Sequence, residues 1–265
     1  MKYKLELEIA INASIKAGYE ILNVYNSLQF DIVEKSDKSP LTLADKKAHI
    51  KIMEYLSKTK IPILSEEGRD IAYSERKDWN LLWIVDPLDG TKEFIKRNGE
   101  FTVNIALVKN GKTIIGVIYV PVKNTLYFGV ENVGAYKIDS INNENYLLDN
   151  ILKNSKTLPI QTLRNNFIAF GSRSHNSKET TAFFKKLKQK HPKLNVIAMG
   201  SSLKFCLVAE GFADIYPRFS PTMEWDTAAG QAILEAAGKE LIDYQTKKPM
   251  KYNRENLLNN WFIVE

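Results

Sequence analysis

Residues 81–91 have the sequence LLWIVDPLDGT, in which an unbroken apolar run ends at two aspartates three positions apart. The apolar run has the length of a strand, and its lack of alternation predicts burial on both faces. Regular strand pairing is expected to stop at Pro87, because proline has no N–H to donate. Asp86 and Asp89 can then point to the same place at the end of the strand, with Gly90 allowing a tight turn behind them.

Two carboxylates this close favour a cation between them, because like charges repel. Mg²⁺ suits the position, since it is a hard ion that prefers oxygen ligands, and the carbonyl of Leu88 can supply another oxygen. The N–H groups of Gly90 and Thr91, expected at a helix start, form a site for a phosphate that bridges to the metal. The same residues, taken alone, are also typical of a strand that ends in an ordinary Asp-Gly turn.

Three other acids occupy positions that fit a metal or catalytic site. Glu66 follows a short apolar strand predicted at residues 61–64, so it is expected near the sheet edge that Asp86 occupies. Asp45 and Asp226 each lie in the first turn of a predicted helix. Simpler interpretations stay open, because a Glu-Glu pair in a loop is usually solvated and helix capping alone accounts for an aspartate in a first turn.

The pattern around this strand differs between the two halves of the chain. Helical spacing predicts helices over residues 3–26 and from 41 to about 56, and Asn110-Gly111 predicts the turn of a hairpin between strands at 101–108 and 113–120. Further elements, in chain order, are predicted as strands at 127–130, 135–138 and 167–170, a helix at 176–190, a strand at 194–199, a helix at 201–211, a strand at 214–216, a helix at 226–237 and a strand at 240–242. The second half therefore alternates strands and helices, as α/β domains do.

An asparagine-rich segment at residues 139–166 marks the expected boundary between these halves. We therefore expect an α+β N-terminal half at residues 1–157, which carries most of the candidate metal ligands. The C-terminal half at residues 158–265 is expected to be α/β and to contribute Asp226. With 44% hydrophobic and 26% charged residues, the chain has the balance of a globular protein with a proper core.

Composition narrows the functional classes without choosing one. No apolar stretch of about 18 residues is present, so no transmembrane segment is expected, and the acidic N-terminal residues are unlike a signal peptide. The single cysteine, Cys206, excludes an internal disulfide and a cysteine-based zinc site, which favours a reducing cytoplasm. The formal net charge of +6 suits an anionic partner, whether nucleic acid, a membrane surface or a phosphorylated metabolite.

Three separated motifs, taken together, resemble the lithium-sensitive inositol monophosphatase superfamily. They are Asp86 to Thr91, Glu66-Glu67 and Trp225 to Gly230, and the resemblance covers essentially the whole chain in the same order. Residues 89–102, 200–211 and 216–219 narrow it to the 3′(2′),5′-bisphosphate nucleotidase branch, which serves bacterial sulfate assimilation. The resemblance implies a layered α/β/α/β/α sandwich of the inositol monophosphatase and fructose-1,6-bisphosphatase type, with the site between the two halves.

The same resemblance implies an activity and residue roles. The expected reaction is Mg²⁺-dependent removal of the 3′-phosphate from adenosine 3′,5′-bisphosphate, with its sulfated precursor as a further candidate substrate, by water activated at two or three ions. Glu66, Asp86 and the Leu88 carbonyl would hold one ion, and Asp86, Asp89 and Asp226 a second. Asp45, Thr91 and Glu66 would form the catalytic set. Substrate contacts are implied for Leu88, Asp89, Gly90, Thr91, His175, Gly200, Ser201, Lys204, Arg218 and Asp226, with Lys204 and Arg218 facing the 5′-phosphate.

Two rival functions stay open at this point. An inositol phosphatase or other sugar phosphatase would share the metal ligands but would not need Lys204 and Arg218 for a second phosphate. A nucleotide- or RNA-binding protein on a degenerate phosphatase fold would have lost one of the four metal-binding acids, and all four are present. No nucleic-acid partner is expected. We expect a cytoplasmic location. Peripheral association with the cytoplasmic face of the inner membrane and the oligomeric state stay open.

Overall fold

The structure, a computed structural model, describes residues 1–27, 32–34, 40–141, 147–160, 164–173 and 177–265. Its helices are α1 (Lys4–Tyr25), α2 (Leu43–Leu56), α3 (Tyr73–Arg76), α4 (Thr91–Ile95), α5 (Leu148–Asn154), α6 (Lys178–Lys190), α7 (Leu203–Glu210) and α8 (Glu224–Ala236). Its strands are β1 (Ile32–Glu34), β2 (Pro40–Thr42), β3 (Ile63–Ser65), β4 (Leu81–Asp89), β5 (Thr102–Lys109), β6 (Lys112–Val120), β7 (Thr125–Val130), β8 (Gly134–Asp139), β9 (Lys156–Leu158), β10 (Phe167–Ser172), β11 (Leu194–Met199), β12 (Tyr216–Arg218), β13 (Leu241–Asp243) and β14 (Phe262–Val264).

Strands β3 to β9 form one sheet in chain order. The first pair, β3 and β4, is parallel, and every later neighbouring pair in this sheet is antiparallel. The predicted hairpin is confirmed as β5 and β6. Asn110 and Gly111 both have positive φ angles, 49° and 75°, as a tight hairpin turn requires.

Strand β4 is buried on both faces, as its continuous apolar run predicted. Trp83 and Val85 pack into a core shared with α1 and α2. Leu82 and Ile84 point the other way, into a core shared with α7 and α8. The sheet is therefore covered by helices on both sides. The end of β4 that contains Asp86 and Asp89 lies between the two helical layers.

Helix α8 lies with its backbone directly against the sheet. A Cβ atom added at Gly116 of β6 would lie 2.2 Å from the Ala229 carbonyl oxygen, and one added at Gly129 of β7 would lie 2.6 Å from the Cα of Ile233. Both distances are far below van der Waals contact, so a side chain at either position would displace the helix. The two glycines fix how close α8 approaches the sheet.

A second group of strands lies beyond α7 and α8. β14 pairs antiparallel with both β12 and β13, while the parallel pair β10 and β11 adjoins through a bridge between Ala169 and Ile215. Leu187 of α6 packs on the outer side of these strands, against Ala169 and Ile215. Helices and strands thus alternate in five layers, which confirms the layered α/β/α/β/α architecture.

The structure also contains elements that the sequence patterns did not predict. Helix α5 and strand β9 lie inside the segment interpreted as a boundary, and β14 adds a third strand between β12 and β13. The strand predicted at 214–216 begins at Tyr216, because Ile215 forms an isolated bridge outside it. Within the described residues, no helix combines the length and apolarity needed to cross a membrane.

Candidate active site

A β-bulge at the end of β4 brings Asp86 and Asp89 to the same side of the sheet. Asp86 pairs with Asn104 of β5, whereas Asp89 pairs with Thr102, so three steps along β4 match two along β5. In a regular strand, residues three apart would point to opposite faces. The extra residue of the bulge restores a common direction, and Pro87 is tolerated there because the ladder needs no N–H from it.

Helix α8 contributes the third aspartate of the cluster. Asp226 lies in its first turn, where Oδ2 accepts a hydrogen bond from the Met223 N–H at 2.7 Å, so a capping role is confirmed. An aspartate that caps a helix can also be a metal ligand. One carboxylate oxygen from each of Asp86, Asp89 and Asp226 lies within 4.8 Å of the other two.

Glu66 reaches the same place from β3. Ser65 pairs in parallel with Val85, and the Glu66 N–H donates to the Val85 carbonyl at 3.1 Å. Its side chain lines one cavity together with Asp86 and Leu88. The expectation that Glu66 shares the edge of Asp86 is therefore confirmed.

The surroundings of Asp86 and Asp226 disfavour their ionised forms in the absence of a cation. Burial raises the pKa of Asp86 well above its usual range, and the charges of Glu66, Asp89 and Asp226 raise it further. Burial likewise raises the pKa of Asp226, with Asp89 and Glu66 adding to the effect. Carboxylate oxygens that converge and repel one another are the donor set of a hard divalent cation. The residues present therefore fit Mg²⁺.

Asp45 and Thr91 are hydrogen-bonded to each other beside the acidic cluster. Asp45 lies in the first turn of α2, where its Oδ2 accepts from the Thr42 N–H at 2.7 Å and from the Thr42 hydroxyl at 2.6 Å. Its Oδ1 accepts from the Thr91 hydroxyl at 3.1 Å. Burial raises the pKa of the Asp45 carboxyl. A carboxylate of raised basicity thus lies one hydrogen bond away from a threonine that lines the cavity.

The cavity has a volume of about 260 Å³ and combines acidic, basic and small polar side chains. Its lining includes Glu66, Asp86, Leu88, Asp89, Gly90, Thr91, Lys92, Glu93, Ser172, Gly200, Ser201, Ser202, Lys204, Phe205, Tyr216, Arg218, Pro221, Thr222, Asp226, Thr227 and Phe262. Most of the predicted site residues are therefore brought together in one cavity, and Asp45 joins them through Thr91. The predicted contact His175 lies outside the described residues.

Lys204 is a buried cation of this cavity, with 3% of its surface exposed. Its Nζ donates to the carbonyls of Ser201 at 2.6 Å and Met199 at 3.2 Å, and it lies 5.1 Å from the centre of the Tyr216 ring. Burial lowers the pKa of Lys204 to about 8, while Asp89 opposes that shift and Arg218 adds to it. An ammonium group has three protons, so a third donor remains beyond these two carbonyls.

Arg218 is the second cation, and 9% of its surface is exposed. Its Nη1 donates to the Ser172 hydroxyl at 2.8 Å and its Nη2 to the Pro221 carbonyl at 3.2 Å. Its Nε is buried without a hydrogen-bond acceptor among the described residues. Buried donors are rarely left unpaired, so a ligand with an acceptor atom would satisfy this nitrogen.

Close backbone approaches shape the wall between these groups. Gly90 has a φ angle of +95°, which favours glycine, and a Cβ at Gly200 would lie 2.5 Å from Cγ of Glu93. The Gly200 N–H donates to Glu100 Oε2 at 2.7 Å, and Arg173 pairs with both oxygens of the same carboxylate. Residues of both halves thus meet at the cavity wall.

Several polar residues of this region were not singled out from the sequence. Asn104 of β5 and Ser202 next to α7 are each 1% exposed and hydrogen-bonded to one another. The signal that could have identified Asn104 is its place two residues after Thr102 in an otherwise apolar strand. Two polar side chains on one face of a buried strand need partners, and Asn104 finds one in Ser202, which lines the cavity.

The chain is similar in sequence and in structure to known proteins of one family. A sequence model of the Inositol monophosphatase family matches residues 3–263. The 3′(2′),5′-bisphosphate nucleotidase CysQ of Escherichia coli K12 is 43% identical over 252 residues, covering 94% of each chain. The protein of the same name from Salmonella typhimurium is 42% identical over 261 residues, covering 97% of this chain and 98% of the relative.

A solved structure agrees with these sequence relatives. The crystal structure of CysQ from Bacteroides thetaiotaomicron, described as a bacterial member of the inositol monophosphatase family, superposes with a TM-score of 0.93 at 53% sequence identity. The match covers all of this chain and 98% of that one. Enzymes of this family are metal-dependent, generally with Mg²⁺, in keeping with the acidic cluster described above. The chain belongs to the inositol monophosphatase family.

Proposed function

We propose that this protein is a Mg²⁺-dependent 3′(2′),5′-bisphosphate nucleotidase that hydrolyses the 3′-phosphate of adenosine 3′,5′-bisphosphate to give AMP and phosphate. One observation carries the proposal. A single cavity contains converging acids that suit metal ions together with two buried cations, each with a donor that has no acceptor among the described residues. A substrate with two phosphates matches both. Relatives that are 42–44% identical bear the name of this enzyme.

Two or three Mg²⁺ ions serve the reaction in this proposal. Glu66, Asp86 and the Leu88 carbonyl hold one, and Asp86, Asp89 and Asp226 hold another. Bound ions supply Lewis-acid stabilisation of the charge that develops on the phosphoryl group and the leaving oxygen. The protein positions the phosphate and provides negative ligands, which is most of what phosphoryl transfer requires.

Asp45 and Thr91 orient the attacking water and accept its proton. Glu66, the third member of the catalytic set, contributes as a ligand of the first ion. The Thr91 hydroxyl donates to Asp45 Oδ1 at 3.1 Å, so the lone pairs of its oxygen are available to a water in the cavity. Proton transfer from water through Thr91 to Asp45 leaves hydroxide to attack the phosphorus. The raised basicity of the buried Asp45 carboxylate favours that transfer.

The second phosphate binds at Lys204 and Arg218. Both cations are buried, so a phosphate there is held in a medium that strengthens charge-assisted hydrogen bonds. Gly200 and Ser201 line the same wall, and we assign them, with Gly90 and Thr91, to the substrate. His175 stays a predicted contact of the base or ribose.

The wider organisation follows the same proposal. The α+β half at residues 1–157 supplies most of the metal ligands, and the half at 158–265 supplies Asp226 and the cations. We place the enzyme in the cytoplasm, as a small-molecule enzyme without a nucleic-acid partner. The two rival functions make different demands, since a sugar phosphatase does not require Lys204 and Arg218, and a binding protein does not require four converging acids.

Mg²⁺-dependent phosphate release from adenosine 3′,5′-bisphosphate, inositol 1-phosphate and fructose 1,6-bisphosphate tests the proposal. We expect strong preference for the nucleotide, and loss of release in Asp89→Asn, which keeps the shape of the side chain but removes its charge. Preference for inositol 1-phosphate would retain the metal chemistry and refute the roles of Lys204 and Arg218. No release from any of the three would favour the binding protein.

A further inference from the structure

We propose that Ser202 and Asn104 are positioning residues that hold Asp89 in its metal-binding orientation. The inference rests on the proposed function, since it treats Asp89 as a ligand of a catalytic ion. It adds two residues to the site whose contribution is made through another side chain. One line of hydrogen bonds leads from β5 to Asp89.

The line begins on β5, directly opposite the bulge. Thr102 and Asn104 are the pairing partners of Asp89 and Asp86. The Thr102 hydroxyl donates to Asn104 Oδ1 at 2.9 Å, and Asn104 Nδ2 donates to the Ser202 hydroxyl oxygen at 3.0 Å. With its oxygen engaged by Thr102, the amide can present only its NH₂ group to Ser202.

Ser202 in turn acts on Asp89. Its N–H and its hydroxyl each lie 2.6 Å from the same carboxylate oxygen, Oδ2 of Asp89. Because the hydroxyl oxygen already accepts from Asn104, its single proton points away from Asn104. The main-chain carbonyl of Asp226, at 2.8 Å, is a second acceptor for that proton. Ser202 therefore touches two of the three aspartates of the cluster.

These contacts leave the other oxygen of Asp89 for an ion. Rotation of the Asp89 carboxylate would break the hydrogen bond from the Ser202 N–H to Oδ2 and the 2.6 Å contact of Oδ2 with the Ser202 hydroxyl. Ser202, Asn104 and Thr102 are each at most 1% exposed, so water cannot replace the lost partners cheaply. The line also crosses from β5 to the start of α7, and so links two segments that are distant in the sequence.

Mn²⁺ binding, measured as loss of the free-ion electron paramagnetic resonance signal, tests the proposal with a readout independent of activity. In Ser202→Ala, which keeps the backbone N–H, we expect the Kd of one Mn²⁺ site to rise about tenfold, the scale found for groups that orient metal ligands. Asn104→Leu, which keeps similar volume without donors, should weaken the same site. Ser202→Thr retains a hydroxyl and should bind Mn²⁺ as the unmodified protein does.

Ser14→Ala is the matched control, because Ser14 is a fully buried serine of α1 whose hydroxyl bonds within its own helix. Steady-state kinetics give a second readout. In Ser202→Ala the Mg²⁺ concentration for half-maximal rate should rise about tenfold, while the KM for adenosine 3′,5′-bisphosphate at saturating Mg²⁺ stays unchanged. A positional effect on the metal separates these two parameters, whereas general damage to the fold would move both.

The positioning role is overturned if the Mn²⁺ isotherms of Ser202→Ala and the unmodified protein superimpose, or if Ser14→Ala shifts the isotherm equally. An unchanged isotherm in Asn104→Leu would remove Asn104 from the role. If the unmodified protein binds Mn²⁺ but releases no phosphate from the nucleotide, the proposed function fails while the isotherms still decide the role of Ser202. Absence of Mn²⁺ binding would overturn both.

Discussion

The Thr91 hydroxyl donates a hydrogen bond to Asp45 Oδ1 over 3.1 Å, and so joins the first turn of α4 to the first turn of α2. Asp45 caps its own helix with one carboxylate oxygen and receives Thr91 on the other. The two functions use different oxygens, so changes that preserve the cap can isolate the effect of the Asp45–Thr91 contact.

Asp45→Asn should lower kcat about 10²- to 10⁴-fold with little change in KM, the range expected on loss of a general base. An asparagine side-chain oxygen can still cap α2, so the thermal unfolding midpoint should change little. Thr91→Val should have a similar effect on kcat, whereas Thr91→Ser should retain most activity. These effects are measured as steady-state rates at saturating Mg²⁺. A kcat of Asp45→Asn or Thr91→Val within threefold of that of the unmodified enzyme would refute the proton path.

Arg218→Met should discriminate between substrates with and without a 5′-phosphate. We expect kcat/KM for adenosine 3′,5′-bisphosphate to fall about 10- to 100-fold, because a hydrogen bond to a charged group contributes about 1.5–3 kcal/mol. Adenosine 3′-monophosphate should lose little. Arg69→Met serves as the control, since Arg69 forms an exposed ion pair with Glu75. Equal losses on both substrates would show that Arg218 does not bind the second phosphate.

The pKa of about 8 at Lys204 predicts a pH effect on substrate capture. Below that pH the side chain is an ammonium and attracts phosphate, and above it the charge is lost. The kcat/KM for the bisphosphate should therefore decline as pH rises through about 8, since this parameter reports ionisations of the free enzyme. In Lys204→Arg the side chain stays charged, so this decline should disappear. A profile that is the same in both enzymes would assign the decline to another group.

Asp86→Asn should stabilise the metal-free protein while abolishing its response to Mg²⁺. Burial and three neighbouring acids raise the pKa of Asp86, so its ionised form is unfavourable in the folded state without a cation. We expect a gain of about 1–2 kcal/mol in the free energy of unfolding with a chelator present, as for other strained functional groups. Differential scanning calorimetry with chelator and with Mg²⁺ measures both effects, with the exposed Asp70→Asn as control.

The sign of the pH dependence in this metal-free state follows from the same shift. A carboxyl with a raised folded pKa binds more protons in the folded chain than in the unfolded one, so stability declines as pH rises above its unfolded pKa. The unmodified protein should show this decline more steeply than Asp86→Asn, and Mg²⁺ should oppose it. Parallel stability curves for the two proteins would mean that Asp86 is not under electrostatic strain.

Local patterns were sufficient for β4, the hairpin and the long helices. The continuous run before Asp86 predicted a strand buried on both faces, and Pro87 marked the place where its ladder is interrupted. Periodicity failed in the asparagine-rich segment, because α5 and β9 are too short to show a clear repeat. The start of β12 was misplaced for a related reason, since one bridging residue cannot be distinguished from a strand residue by composition.

The site was predictable where motifs carried it and not where distant segments meet. The acids of the cluster stand out because each lies in the last residues of a strand, directly after a strand or in the first turn of a helix. Asp45 and Thr91, 46 positions apart, were brought together only by the family resemblance, and the contact between Asn104 and Ser202, 98 positions apart, was not predicted. Spacing along the chain contains no information on such pairs, which depend on the packing of one layer on another.

The absence of side chains at Gly116 and Gly129 has a mechanical consequence for catalysis. With its backbone lying on β6 and β7, α8 has no flexible layer on which to slide or tilt. Asp226 at its start is thereby tied to the same rigid sheet that carries Asp86 and Asp89. We therefore expect the three aspartates to keep a preset geometry, and any adaptation to substrates of different shape to come from other parts of the cavity lining.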